Sequence, residues 1–90
     1  MSVEATSSDL KSFGLALRMF RERANLSQEA LAHICGLHRT YIGSVERGER
    51  NIGLLNIHVL AGALNVACSE LIRAAEEIQP ERKVARKARP

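Results

Sequence analysis

Arg39, Thr40, Ser44 and Arg47 lie within one short run, HRTYIGSVERGERN, and their side chains are suited to reading hydrogen-bonding groups. An arginine guanidinium can pair in bidentate fashion with guanine O6 and N7. The short hydroxyls of Thr40 and Ser44 suit base edges, phosphates or the thymine methyl. With Ile42 and Val45 turned inward on a helix, the i, i+4 rows place His38, Arg39, Thr40, Gly43, Ser44 and Arg47 on its outer face. An outward Gly43 would remove bulk and let such a helix sit deep against the bases. The alternative is an ordinary solvated helix face. The chain holds no grouped acid, base and nucleophile of the kind an enzyme needs.

Such a face works only if other elements hold it. Apolar positions Leu10, Phe13, Leu17, Phe20 and Ala24 recur at helical spacing and predict a first helix over about Leu10 to Ala24. Asn25 is a left-handed stop. Ser27 caps a second helix, Gln28 to Cys35, and Glu29 suits its positive end, although Ala30 stands where a capping-box glutamate would be. Leu31 and Ile34 are expected inward, with Ala30 and Ala32 allowing close approach. Gly36 ends the helix and Leu37 anchors the turn. The third helix, His38 to Arg47, stops at Gly48. A fourth, from Gly53 or Leu54 to Leu64, is expected to bury Leu54, Ile57, Leu60, Ala61 and Leu64, and a fifth, Cys68 to Ile78, to bury Leu71, Ala75 and Ile78. The chain therefore divides into a disordered segment over 1–9, a helical domain over 10–78, and a basic tail over 79–90 that Pro80 separates from the last helix. Two short helices joined at a glycine, the second polar on its outer face, form a helix-turn-helix pattern.

Size and composition agree with one all-α domain. A domain of this size buries only roughly 60% of its unfolded surface, so self-association would add stability. With Phe13, Phe20 and Tyr41 as the whole aromatic set, the core must be built from Leu, Ile, Val and Ala. No apolar run approaches the ~20 residues of a membrane span, and MSVEATSSDL has no signal-peptide pattern, so a cytoplasmic location is expected. Cys35 and Cys68 sit in apolar helical patterns and read as reduced, buried thiols. His33, Cys35, His38 and Cys68 lack the tight paired spacing of a zinc site, so neither metal nor cofactor is expected. Of the 13 basic residues, Arg82, Lys83, Arg86, Lys87 and Arg89 crowd the C-terminus. The helical domain is nearly neutral, so overall basicity carries no nucleic-acid argument.

The segments LRMFRERANLSQEALA, the Gly36-Leu37 turn, RTYIGSVERGERN and LAGALNVACSEL together resemble the Cro/CI-type (Xre family) helix-turn-helix regulators over about Phe13 to Ile72. RTYIGSVERGERN is especially similar to the small controller proteins of restriction-modification systems. The resemblance implies a five-helix, lambda-repressor-like fold and a regulator of transcription that binds double-stranded DNA. It assigns base reading to Arg39, Thr40 and Ser44. Gln28, Tyr41, Arg47 and Asn51 match positions that meet the DNA backbone, with Arg50 a further candidate, and Gln28 also braces the recognition helix. Arg21 and Glu46 match a partly buried ion pair that ties the first helix to the third.

The chain departs from that family at Ile52, where proline is common, and at Leu55, His58, Val59 and Gly62, where polar residues are common. Leu55, Val59 and Gly62 form an apolar row, and such a row on a small domain marks a partner surface. A two-fold homodimer through the fourth and fifth helices, joined by Cys68 and Ile72, is expected on a near-palindromic operator. No small-molecule substrate is expected. Two other readings use the same residues: a DNA-binding antitoxin with a toxin partner, and a helical protein-interaction module that binds no DNA. The basic tail ERKVARKARP reads as a disordered solubilising end, a phosphate-binding arm or a kinked continuation of the last helix.

Overall fold

The computed structural model describes residues 7–78, which form five helices and no strand. These are α1 Ser7–Arg23, α2 Gln28–Cys35, α3 Arg39–Glu46, α4 Leu54–Leu64 and α5 Cys68–Ile78. The reading of residues 1–6 as disordered and of 79–90 as a basic tail falls outside the described residues. Ser7, Ser8 and Asp9 were also expected to be disordered, but they form the first turn of α1, where the Asp9 carboxylate suits the positive end of the helix dipole.

Each interhelical turn among the described residues uses a special backbone conformation or a cap. Asn25 (φ 59°), Gly36 (φ 69°), Gly48 (φ 76°) and Asn65 (φ 59°) stop α1 to α4 in left-handed backbone. Beyond each stop, a backward bond closes the turn: Leu26 N–H to the Arg21 carbonyl, Leu37 to Ala32, Glu49 to Ser44, and Val66 to Ala61. Ser27 caps α2, its Oγ accepting from Ala30 N–H at 3.0 Å. At α5 the Glu70 carboxylate accepts from the Ala67 N–H at 2.8 Å, a reach-back that stabilises the helix start.

The fully buried side chains of Leu17, Leu31, Ile42, Val45, Leu60 and Leu71 draw on all five helices. α1 packs on α3 and α5, α2 on α3 and α4, and α4 on α5. Four residues expected inward are not. Ile34 is 56% and Leu54 68% exposed, and Ala24 and Ile78 are also exposed. The inward stripe of two-turn α2 is instead Leu31, Ala32 and Cys35, which turns Ile34 away. Leu54 lies one turn before half-buried Ile57, at the open end of α4. Ala24 follows the end of α1, and Ile78 closes the last described turn. Cys35 and Cys68 are half-buried free thiols rather than deeply buried ones, because each lies at a helix end. No single helix among the described residues is long and apolar enough to cross a membrane.

Two close contacts set the position of α3. A Cβ at Gly14 would collide with the carbonyl oxygens of Val45 and Glu46, so glycine permits α1 to cross the end of α3 backbone against backbone. Beside it, Arg21 Nε and Nη2 donate to the two Glu46 carboxylate oxygens at 2.6 and 3.0 Å, with both side chains at least nine-tenths buried. Arg21 Nη1 donates to the Leu26 carbonyl at 2.8 Å, and Gln28 Nε2 donates to Glu46 Oε1 at 2.9 Å. The hydrogen bonds to Glu46 are the main cause of a raised Arg21 pKa, so the guanidinium keeps its charge despite burial.

Gly14→Ala gains about 1 kcal/mol of helix propensity but must force α1 and α3 apart. A net loss of about 1–3 kcal/mol is expected, visible as a lower Tm in a thermal melt. Glu46→Ala leaves the Arg21 charge buried without its carboxylate and should cost about 3–5 kcal/mol. An unchanged denaturation midpoint for Glu46→Ala would contradict that role.

Candidate nucleic-acid interface

α3 divides into two faces. Ile42, Val45 and Glu46 are buried against the other helices, while Arg39, Thr40 and Arg47 are exposed and Tyr41 and Ser44 half-buried. Thr40 and Ser44 stand one turn apart on the outer side. They border an open groove of about 590 Å³ lined also by Leu37, His38, Tyr41, Arg47, Arg50 and Asn56. Five of the sequence-predicted residues, Thr40, Tyr41, Ser44, Arg47 and Arg50, therefore share one concavity. Arg39 stands outside it, on the first turn of α3, and Asn51 is exposed in the loop before α4.

The groove is shaped by contacts that the sequence did not reveal. The Ser44 hydroxyl donates to the Tyr41 carbonyl at 2.9 Å, which leaves its lone pairs to accept from a donor such as an exocyclic base amine. Tyr41 is held at both ends. Its hydroxyl accepts from Asn56 Nδ2 at 3.0 Å, and the Arg50 guanidinium carbon lies 5.3 Å from its ring centroid. Accepting from Asn56 leaves the phenolic proton free for a phosphate oxygen. Asn56 was not anticipated, since fifteen residues and a loop separate it from its partner.

Gly43 corrects the sequence reading. It is buried, not open to an approaching ligand. A Cβ there would stand 3.2 Å from Arg47 Nη1 and 3.4 Å from Gln28 Oε1, so the space its missing side chain leaves is filled by those two residues. The i, i+4 rows alone could not show this, because α2 covers that flank of α3. Gln28 consequently links two features: it donates to Glu46 and lies alongside Gly43.

Arg47 itself is engaged. Its Nε and Nη2 donate to the two carboxylate oxygens of Glu49 at 3.0 and 3.1 Å, with both side chains more than half exposed. These hydrogen bonds hold the Glu49 carboxyl below its usual range and raise Arg47 further. Glu49 was not singled out from the sequence, because residues two apart on a helix do not face each other.

The apolar row on α4 is open: Leu55 is 80% and Val59 41% exposed, and Gly62 has open space where a Cβ would stand. Ile72 of α5 is 40% exposed. Cys68 is half-buried, its Sγ 3.1 Å from His58 Nδ1, a contact between α4 and α5 also missed in the sequence. Burial raises the Cys35 thiol above its usual range, away from the reactive thiolate.

Comparison with known proteins places this geometry. A helix-turn-helix family model matches residues 17–71. Control protein C.SmaI of Serratia marcescens is 57% identical over 56 residues, covering 62% of this chain and 67% of the relative. Control protein C.BamHI of Bacillus amyloliquefaciens is 48% identical over 61 residues, covering 67% of this chain and 75% of the relative. The crystal structure of the restriction-modification controller protein C.AhdI from Aeromonas hydrophila superposes with a TM-score of 0.70 at 52% identity, covering 71% of this chain and 97% of that one. With α2 and α3 as its helix-turn-helix and Arg21 and Glu46 locking them to α1, the chain belongs to the helix-turn-helix family of DNA-binding transcriptional regulators.

Proposed function

We propose that this protein regulates transcription in the manner of a restriction-modification controller, binding double-stranded DNA as a homodimer on a near-palindromic operator. The observation that carries the reading is the outer face of α3, where Thr40 and Ser44 border a groove flanked by Arg47 and Arg50. α3 would enter the major groove with Arg39, Thr40 and Ser44 at base edges. Gln28, Tyr41, Arg47, Arg50 and Asn51 would meet phosphates on either side. Base contacts set sequence preference, and phosphate contacts set register and affinity. Such a regulator acts in the cytoplasm, where DNA and polymerase are found together.

A single eight-residue helix reads too few base pairs to single out an operator. Two copies related by a two-fold axis double the contacts and fix half-sites about 34–36 Å apart. Leu55, Val59 and Gly62 on α4, with Cys68 and Ile72 on α5, supply the apolar surface for that pairing. Exposed Leu55 and Val59 would otherwise leave hydrocarbon in water, at roughly 25 cal/mol per Å². Both helices pack behind α2 and α1, so pairing there leaves α3 accessible.

Selection from a random duplex pool should enrich a palindromic sequence, and footprinting should show protection of both halves. On that sequence Arg39→Ala should cost about 1–3 kcal/mol and relax preference at one base pair. Equal losses on the selected and a scrambled duplex would exclude base reading by Arg39. Leu55→Glu with Val59→Glu places like charges across the pairing surface. Sedimentation analysis should then show monomers with an unchanged helical spectrum, and a persistent dimer would move the interface elsewhere.

A further inference from the structure

Glu49 is an acidic residue on the face that the proposed function turns toward a polyanion. Its carboxylate grips Arg47 through two hydrogen bonds of 3.0 and 3.1 Å. The contact is built by the end of α3. Gly48 at φ 76° reverses the chain, and the Glu49 N–H donates to the Ser44 carbonyl at 2.9 Å, so side chains two residues apart converge instead of diverging. The third guanidinium nitrogen, Nη1, lies back over Gly43, 3.2 Å from where a Cβ would stand. Arg47 is therefore parked along the rim of the groove it helps to line.

We propose that Glu49 is an affinity-limiting residue of the DNA face: by holding Arg47 in a neutral pair, it makes that arginine's phosphate contact conditional on opening the pair, so the contact forms only where a phosphate is fixed in register beside it. The inference rests on the DNA-binding reading of this face.

The physics concerns distance and dielectric. To a phosphate that is not in direct contact, a forked arginine-carboxylate pair is a small dipole, and its field in water and salt fades within about 10 Å. On arbitrary DNA, where contacts are loose and mobile, Arg47 then contributes little of the counterion release that drives non-specific binding. On an operator, contacts by neighbouring side chains bring one phosphate into fixed reach of the guanidinium. An exposed pair is weak enough to open for a direct, charge-assisted bond to that phosphate. Opening the pair therefore lowers operator affinity by its full cost, whereas a loose complex that leaves the pair closed loses only the weaker phosphate contact it forgoes. Neither side chain supports the core, since both are more than half exposed, so Glu49 can be changed without unfolding the domain.

The test measures binding of the full chain to two probes across a salt series: the palindromic duplex selected from a random pool, and a scrambled duplex of equal length and composition. Glu49→Gln should raise affinity for the selected duplex about three- to fivefold and affinity for the scrambled duplex by less. The salt slope on the scrambled duplex should steepen by about 0.9, one more phosphate neutralised, while the slope on the selected duplex stays unchanged. In an Arg47→Ala background the same substitution should lose most of its gain on the selected duplex. A gain on the scrambled duplex equal to or larger than that on the selected one, a gain on the selected duplex that survives Arg47→Ala undiminished, or no gain would each overturn the assignment. A wild-type chain that enriches no sequence from the pool would instead overturn the DNA-reading function on which it rests.

Discussion

The buried fork between Arg21 and Glu46 is the interaction on which the reading face depends. It joins α1 to the last turn of α3, and its remaining valences reach the two elements between them: Arg21 to the Leu26 carbonyl and Gln28 to the carboxylate. Two charges removed from water are costly unless every donor and acceptor is matched. Among the described residues, no buried side-chain nitrogen or oxygen lacks a partner. The arrangement fixes the angle and rotation of a helix only eight residues long, which apolar contacts from Ile42 and Val45 alone would leave freer to roll.

Helix termination is the second constraint. α2 and α3 are short because Gly36 and Gly48 stop them in left-handed backbone. The turn at Gly48 also brings Glu49 and then Arg50 back toward the groove, where Arg50 lies over the Tyr41 ring. Ordering these side chains in advance reduces the entropy lost when they meet a ligand. The groove is thus a consequence of how α3 ends as much as of the residues along it.

α4 and α5 separate two tasks. Their inner sides complete the core through Leu60, Ala61, Leu64, Leu71 and Ala75, while Leu55, Val59 and Ile72 remain outside it. A small domain with little interior gains stability from covering such a surface, and the same act would fix the spacing of two reading heads.

Much of the fold was legible because its signals are local. Helical spacing, the Ser27 cap and the stops at Asn25, Gly36 and Gly48 depend on neighbouring residues and reproduced the boundaries of α2, α4 and α5. The outward placement of Arg39, Thr40 and Arg47 followed from the same periodicity. Periodicity did not show which flank of a short helix a neighbour covers. Ile34 faces water because α2 turns Leu31, Ala32 and Cys35 toward its neighbours instead, and Gly43 is buried because Gln28 of α2 and the Arg47 side chain cover it. The crossing at Gly14, the Asn56 hold on Tyr41 and the His58 contact with Cys68 join residues distant in sequence. The Glu49 clamp spans only two residues, but it exists because the backbone reverses between them. Sequence by itself determined the helices, the stops between them and the types of side chain offered to DNA, since those follow from propensity and spacing. Only the tertiary structure decided which of those side chains are held, covered or free, because that depends on contacts made by the packed helices and by the turns that end them.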